Sequence, residues 1–329
     1  MSIPEISVII PTHNRADSLI NVLSNLEAQT CPFDVFQVIV IDDASTDDTF
    51  SLLSQFRHHS QLNIRILQCK LANAGAARNL GVSQAVAPLL IFLDADIYVH
   101  PDFISKHLAY HQAYPQENMI LQGRVEMAKE LLVPHQVRHG IWNPPLGRKE
   151  RFDTQWQSFR AANTSIKRQL FIRVGGFNPQ LCAAEDTELG YRLWKAGANF
   201  VFDNSILTTH YHPMTWGQYL DKAKKYGKSI ALWYAHEPEV QRELVNRYGL
   251  CVQGCRIRRK LKYSALKLVL NDQTTPAILV LAEKLSRFRH SLTLMIYKLI
   301  FNYQLVQAFK RMLSMSTMDD RKRVAKGLQ

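Results

Sequence analysis

Cysteine is scarce in this 329-residue chain: Cys31, Cys69, Cys182, Cys251 and Cys255 are scattered, odd in number and without paired CxxC sets. That spacing supplies no disulfide framework, and reduced thiols in a cytoplasmic setting are expected. A basic and then apolar leader is also missing, since MSIPEISVIIPTHNR runs directly into a strand pattern, and export is not expected. The most membrane-like run, SLTLMIYKLIFNYQLVQAF at 291–309, carries Lys298 and several amides and reads as a helix lying on a surface. Internal repeats and low-complexity tracts are absent. Acidic residues are nearly missing from one end. Residues 1–255 hold 24 Lys+Arg and 24 Asp+Glu, so of the totals of 40 and 28, residues 256–329 keep 16 basic and 4 acidic. The net charge of +12 therefore sits in the last 74 residues, and no basic surface spread over the whole chain is available to a nucleic acid.

What is present is enough apolar residue for a folded core, 47% of the chain. ISVIIP (6–11), VFQVIVIDD (35–43), NIRILQC (63–69) and PLLIFLDAD (88–96) are short apolar runs that predict buried strands. Between them, SLINVLSNLEAQ has Leu19, Val22, Leu23 and Leu26 at helical spacing, and FSLLSQF and GAARNLGVSQAVA also predict helices. Strand and helix in alternation predict a doubly wound α/β sheet, whose ligands sit outside the carboxyl ends of the strands. The pattern loosens over 104–160, where NPPLGRKERFD (143–153) reads as an exposed loop. It tightens again in AANTSIKRQLFIRVGGF, a helical DTELGYRLWKAG and a strand FVFDNSILTTHYH; after residue 216 only helix is expected.

Acidic pairs fall at the strand ends. Asp94 and Asp96 are two apart, so on a continuing strand both carboxylates face one side, where hard oxygen donors suit Mn2+ or Mg2+. The plainer alternative is a pair of solvated residues capping a turn. Asp42 and Asp43 end the neighbouring strand. Asp43 can accept hydrogen bonds from a base or a ribose hydroxyl, whereas Ser45 to Asp48 are good capping residues for the helix that follows. Glu185 and Asp186 stand together before a helix. They either favour its positive N-terminus or raise the pKa of one carboxyl towards the range of a general base. His210 and His212 share one face if their strand continues. His13 reads as a turn residue, and Gly175-Gly176 as a turn.

Taken in order over residues 6–212, SVIIPTHNR, VIVIDDASTDDT, GAARNLGV, FLDAD, AANTSIKRQLFIRVGGF and AEDTELGYRLWKAG resemble the motifs of the family 2 glycosyltransferases, inverting nucleotide-sugar enzymes of the GT-A fold. The resemblance implies a Rossmann-like α/β fold, with a mostly parallel sheet and helices on both faces. It implies a catalytic domain over 1–215, with a nucleotide-sugar half at 1–100 and an acceptor half at 101–215, and a helical basic extension over 216–329. Pro11, Thr12, Asn14, Arg15 and Asp43 would hold the nucleotide, with Arg78 near it. Asp94 would meet ribose and metal, and Asp96 would bind the metal. Asn163 would line the donor or acceptor pocket, and Asp186, beside Glu185, would be the catalytic base. A histidine late in the domain completes the metal site in related enzymes. His210 is preferred over His212, which lies against Pro213 where the strand must break. Ala44 stands where many members have glycine. No QxxRW follows Glu185-Asp186, so single addition is expected over processive synthesis. IIPTHNR replaces the glycine-rich GxGTR loop of sugar nucleotidyltransferases, which argues against that reaction.

The expected function is transfer of a sugar from a nucleoside-diphosphate sugar, a UDP-sugar being favoured, to a hydroxyl of a saccharide or lipid-linked acceptor in polysaccharide or surface-glycan synthesis. CRIRRKLKYSALKLVL (255–270) places Arg256, Arg259, Lys260 and Lys267 among leucines as an amphipathic cationic helix. An anionic membrane surface on the cytoplasmic side is the expected partner of 256–329, the alternative being helical packing, and no nucleic-acid motif is present. A catalytically silent nucleotide-sugar-binding partner and a membrane-surface binding protein remain the competing functions.

Overall fold

A computed structural model describes residues 3–131, 150–151, 156–250, 269–271, 274–286 and 290–315. Of the expected exposed loop at 143–153, Glu150–Arg151 instead form a short strand, and the rest of it, most of the basic amphipathic stretch (255–268) and the closing DDRKRVAKGLQ (319–329) lie outside the described residues. Contacts divide the chain into two compact units, one of Met1–Lys129, Gly140–Pro179 and Glu185–His212, the other of Glu130–His139, Gln180–Ala184 and Pro213–Gln329.

The first unit is a sheet with helices, and its parallel half follows the sequence pattern. The chain runs β1 (Ile6–Thr12), α1 (Ala16–Glu27), β2 (Phe36–Asp43), α2 (Thr49–His59), β3 (Ile64–Cys69), α3 (Ala74–Ser83) and β4 (Leu89–Leu93). Strands β1, β2 and β4 are buried along nearly their whole length, which is why they read as unbroken Ile/Val/Leu runs with no polar alternation. β1 pairs in parallel with β2, from Ile6 opposite Phe36 to Thr12 opposite Asp42, and with β4, from Ile6 opposite Leu89. β3 adds in parallel outside β2. Leu19, Val22, Leu23 and Leu26 of α1 are fully buried in the core cluster. Each such side chain contributes about 1.5–3 kcal/mol of burial.

The other half is antiparallel or mixed. β5 (Ile97–Val99), α4 (Phe103–Ala113), β6 (Met119–Met127), β7 (Glu150–Arg151), β8 (Asn163–Lys167), α5 (Arg168–Arg173), α6 (Glu185–Lys195) and β9 (Asn199–His210) follow in sequence. The sheet order is β3-β2-β1-β4-β8-β6-β9-β5, with β7 also on β9. β8 runs antiparallel to β4 and β6, whereas β6 and β9 are parallel. β5 lies antiparallel on β9 with Ile97 opposite His210. That last register carries the end of β9 back to the residue that follows Asp96.

The second unit is helical in its described residues. α7 (Trp216–His236) opens with a capping box between Thr215 and Gln218, and α8 (Gln241–Tyr248) stops at Gly249 with φ 63°. α9 (Thr274–Ser286) and α10 (His290–Leu313) complete it. Tyr219, Tyr297, Ile300 and Leu279 form its core, and the Tyr219 hydroxyl donates to the Tyr297 carbonyl at 3.1 Å. α7 packs against α10 most closely at Gly227, where an added Cβ would meet the Leu305 carbonyl and Ala308. Among the described residues no helix is long and apolar enough to cross a membrane.

Candidate active site

The carboxyl ends of β1, β2 and β4 carry the acidic motifs, and the chain there does not continue as strand. β4 ends at Leu93, and Asp94-Ala95-Asp96 is an irregular turn before β5. The expectation that both carboxylates share one face of a strand therefore fails: the turn sends them to different partners.

Asp94 goes to Arg78. The Arg78 Nη2 donates to Asp94 Oδ1 at 2.6 Å, and its Nη1 lies 3.5 Å from Glu185 Oε1. Arg78 is buried in α3 with its guanidinium 5.2 Å from the Phe177 ring centre. Burial opposes its charge, but Asp94, Asp186 and Glu185 together hold its pKa above the ordinary value. The GAARN segment positions it. Asn79, the next residue, exchanges two hydrogen bonds with the backbone of Phe177, Oδ1 accepting from its N–H at 2.9 Å and Nδ2 donating to its carbonyl at 2.8 Å. Gly176, with φ 67°, has no space for a Cβ against the same Asn79, and Gly175 has φ 84°, so this pair is the expected turn.

Glu185 and Asp186 open α6. Asp186 is the deeper carboxyl, and its Oδ1 is buried without a hydrogen-bond partner. Burial first, and the Glu185 carboxylate second, push its pKa up to about 7, against the pull of Arg78 and Arg160. Arg160 was not among the sequence candidates. It lies in the irregular stretch before β8, bonded to the Gln157 carbonyl at 3.1 Å, and no motif marks it.

Asp96 goes to the histidines. Its Oδ2 is 2.7 Å from His212 Nδ1 and its Oδ1 is 3.5 Å from His210 Nε2; one ligand atom from each of the three lies within 4.8 Å of the others. Burial alone would raise the Asp96 carboxyl, but hydrogen bonds from both imidazoles hold it far below the usual carboxylate range. The sequence reading preferred His210. β9 does end there, yet His212 remains in reach because Tyr211 N–H donates to the Asp96 carbonyl at 2.8 Å and its ring stacks on Tyr98 at 5.7 Å. Arg15 joins the cluster, its Nη2 2.7 Å from the same His212 Nδ1 and its Nε 3.9 Å from Asp96 Oδ2. A single ring nitrogen cannot both give a proton to Asp96 and accept one from Arg15. Asp96, His210 and His212 nevertheless bring one ligand atom each close enough together to hold a cation between them. One carboxylate with two imidazoles suits Mn2+ better than the oxygen-seeking Mg2+. Asp94 is outside this group.

The remaining candidates divide between site and framework. Thr12 Oγ1, at the end of β1, is buried and without a hydrogen-bond partner. Pro11 is half-buried beside it, opposite Ile41. Asp43 is committed to the chain: Oδ1 accepts from the amides of Leu71 at 2.6 Å and Ala72 at 2.9 Å, and Oδ2 from Asn73 at 2.9 Å. His13 Nδ1 contacts the Asp43 carbonyl at 2.7 Å. Asn14 Oδ1 accepts from Thr46 N–H at 2.8 Å, and Ser45 Oγ accepts from Asn14 N–H, so these residues tie the loop after β1 to the loop after β2. The cap of α2 comes from Asp47, whose Oδ1 accepts from Thr49 N–H at 3.1 Å. Ala44 adopts φ 59°, the left-handed backbone that explains why glycine suits this position.

Asn163 lies in the core. It is fully buried, its Nδ2 donating to the Ile206 carbonyl and Thr208 Oγ1, each at 3.2 Å. Its Oδ1 accepts from His107 Nε2 at 3.1 Å; Ser165 Oγ then lies 2.8 Å from His107 Nδ1 and 2.9 Å from His111 Nε2. Burial holds the pKa of both imidazoles well below the ordinary value, and this set of hydrogen bonds can be made with both neutral.

Residues 7–175 match the family model for Glycosyl transferase family 2. The chain is 29% identical over 221 residues to validoxylamine A glucosyltransferase of Streptomyces hygroscopicus subsp. jinggangensis, covering 59% of this chain and 52% of that protein. It thus spans about half the length of that curated relative. The fold is similar to Staphylococcus aureus TarS 1–349 in complex with UDP-GlcNAc, with TM-score 0.58, 16% identity and coverage of 93% and 92% of the two chains. It is also similar to a mannosyltransferase of Pyrobaculum calidifontis in complex with GDP-Man and Mn2+, with TM-score 0.59, 18% identity and coverage of 93% and 88%. A sheet of GT-A type, its acidic motifs at the strand ends and a matching model over half its length place this chain in glycosyltransferase family 2.

Proposed function

We propose that this protein transfers a sugar from a nucleoside-diphosphate sugar to an acceptor hydroxyl, inverting the anomeric carbon in one displacement and adding a single residue per encounter. The observation that carries the reading is Asp186: a half-buried residue with one carboxylate oxygen buried and partnerless and a pKa near 7, beside Glu185 and Arg78. A base must be poised near the working pH to accept the hydroxyl proton as the new bond forms. Asp96, His210 and His212 would hold Mn2+, with Asp94 facing the ribose. When bound, the metal supplies positive charge to the departing diphosphate. Arg15 and Arg78 add fixed cations on either side of that path, and Thr12 Oγ1 offers a hydroxyl to the nucleotide.

Relatives that bind UDP-GlcNAc and GDP-Man support a nucleotide-sugar donor, and a UDP-sugar is the first choice. A saccharide or lipid-linked acceptor in surface-polysaccharide synthesis on the cytoplasmic side follows from the family and from the basic region 216–329. This basic region would serve the catalytic domain 1–215.

The test is binding and turnover of UDP- and GDP-sugars with and without Mn2+. Asp96→Asn is expected to lose metal-dependent donor binding. Asp186→Asn is expected to bind donor normally yet to lose transfer and donor hydrolysis by about 100-fold or more. Wild-type protein that binds a donor with no turnover on any acceptor, or in water, would support the silent-partner reading.

A further inference from the structure

The helical unit contains a groove that the transferase chemistry does not use. It lies between α7 and α10, has a volume of about 830 Å³, and is lined by Lys224 and Lys228 on one side and Gln304, Gln307, Arg311 and Met312 on the other, with Met315 at one end. Lys224 and Lys228 are four residues apart on α7, so their side chains project from one face. On α10, residues 304, 307, 308, 311 and 312 form a single stripe at helical spacing, and Met315 follows just beyond the helix end.

The charge on this stripe is one-sided. Among the described residues none that lines the groove is acidic. Lys224 reaches Asp221 at 3.1 Å, an exposed pair on its own helix. Lys228 and Arg311 have no acidic partner among the described residues. Lys228 is half-buried, and burial, reinforced by Lys224 and Lys225, pulls its ammonium below the ordinary value. Arg311 in the last turn of α10 suits that helix's negative end. No such account covers two lysines in the middle of α7. The rest of the wall mixes the polar Asn271, Gln304 and Gln307 with Tyr303 and an apolar part of Ala308, Met312 and Met315, of which Met312 and Ala308 are buried and Met315 half-buried. Methionine adapts to irregular apolar partners. The Gln307 amide donates to the Tyr303 hydroxyl at 2.7 Å, keeping that side chain along the wall.

We propose that this groove binds an anionic amphiphile, with Lys224, Lys228 and Arg311 holding a phosphate headgroup and Met312, Met315 and Ala308 receiving the start of its apolar chain. The groove's described lining comes from the helical unit alone, and the proposal stands whether or not the transferase reading does. A cluster of cations against an apolar wall fits a headgroup and a chain joined in one molecule. A free phosphate would leave the methionines without a role, and a neutral amphiphile would leave the cations without one.

The test uses the full chain and dodecyl phosphate below its micelle-forming concentration, followed by equilibrium dialysis, with dodecyl maltoside and inorganic phosphate as parallel probes. Saturable binding of dodecyl phosphate, about tenfold or more tighter than either control, is expected. The Lys228→Gln/Arg311→Gln double variant should weaken it about tenfold or more. Gln304→Trp, which keeps every cation but fills the groove, should do the same and decides the matter if the double variant does not fold. UDP binding on the same samples should be unchanged. Equal binding of dodecyl maltoside would reduce the groove to an apolar surface, equal binding of inorganic phosphate would make it a plain anion site, and undiminished binding in Gln304→Trp would place the ligand elsewhere. Each of these overturns the proposal.

Discussion

Acidification should unfold the sheet-containing unit through two histidines that the proposed chemistry does not use. His107 and His111 are one turn apart on α4, both buried and both on Ser165 Oγ. His107 donates through Nε2 to Asn163, so its Nδ1 accepts the serine proton and the serine oxygen accepts from His111 Nε2. His111 Nδ1 is left buried with no hydrogen-bond partner. Burial lowers the pKa of His107 to about 4 and that of His111 to about 3, from 6.5. Between those values and 6.5 the unfolded chain binds more protons than the folded one, so stability falls as the pH falls. At pH 5 each imidazole protonated only in the unfolded chain costs about 2 kcal/mol relative to neutral pH, or about 4 kcal/mol for the pair. That is a large share of the roughly 5–15 kcal/mol that holds a domain together.

His111→Phe isolates one of the two contributions. Ser165 still donates to His107, so the variant loses one hydrogen bond, about 1 kcal/mol at pH 7. It should nevertheless lose about 2 kcal/mol less than wild type when the pH is taken from 7 to 5, measured by urea unfolding at each pH. If the two proteins lose the same stability over that interval, His111 takes up its proton while folded and the buried neutral network is wrong.

Other outcomes follow from single residues. Ala44→Gly removes a left-handed alanine and should stabilise the protein by about 1 kcal/mol, seen as a higher urea midpoint. Gly227→Val, against the Leu305 carbonyl, should destabilise the helical unit by about 1–3 kcal/mol without changing the Kd for a nucleotide. With Asp186 ionising near 7 and active as the carboxylate, kcat/KM should rise with pH through about 7 and then level. Arg78→Met removes a cation that opposes this shift, so the rise should move to higher pH, and a profile unmoved by Arg78→Met would sever Arg78 from the base.

The parallel half of the sheet was legible because burial on both faces demands unbroken Ile/Val/Leu runs: β1 and β2 fall within a residue of theirs, β4 stops three residues short of its run, and β3, expected to be buried, is half-buried to exposed because it is the outermost strand. The acidic motifs were legible as well, since a doubly wound sheet has only one edge at which a strand can end in carboxylates. Their partners were not. Strand periodicity put Asp94 and Asp96 on one face, but hydrogen bonding ends β4 at Leu93, and two residues of an irregular turn are not bound to that alternation. The β5–β9 register, between residues more than a hundred apart, brings His210 and His212 to Asp96. Asn163 carries the same lesson in reverse: a polar residue in a recognisable motif became a core residue because His107, Ile206 and Thr208 met its amide there. The local pattern of apolar residues therefore determined which segments form strands and helices and where the carboxylates must emerge. Which carboxylate meets arginine, which meets histidine and which is left buried without a partner was decided by tertiary structure, because those pairings depend on long-range register and desolvation that no short stretch of sequence contains.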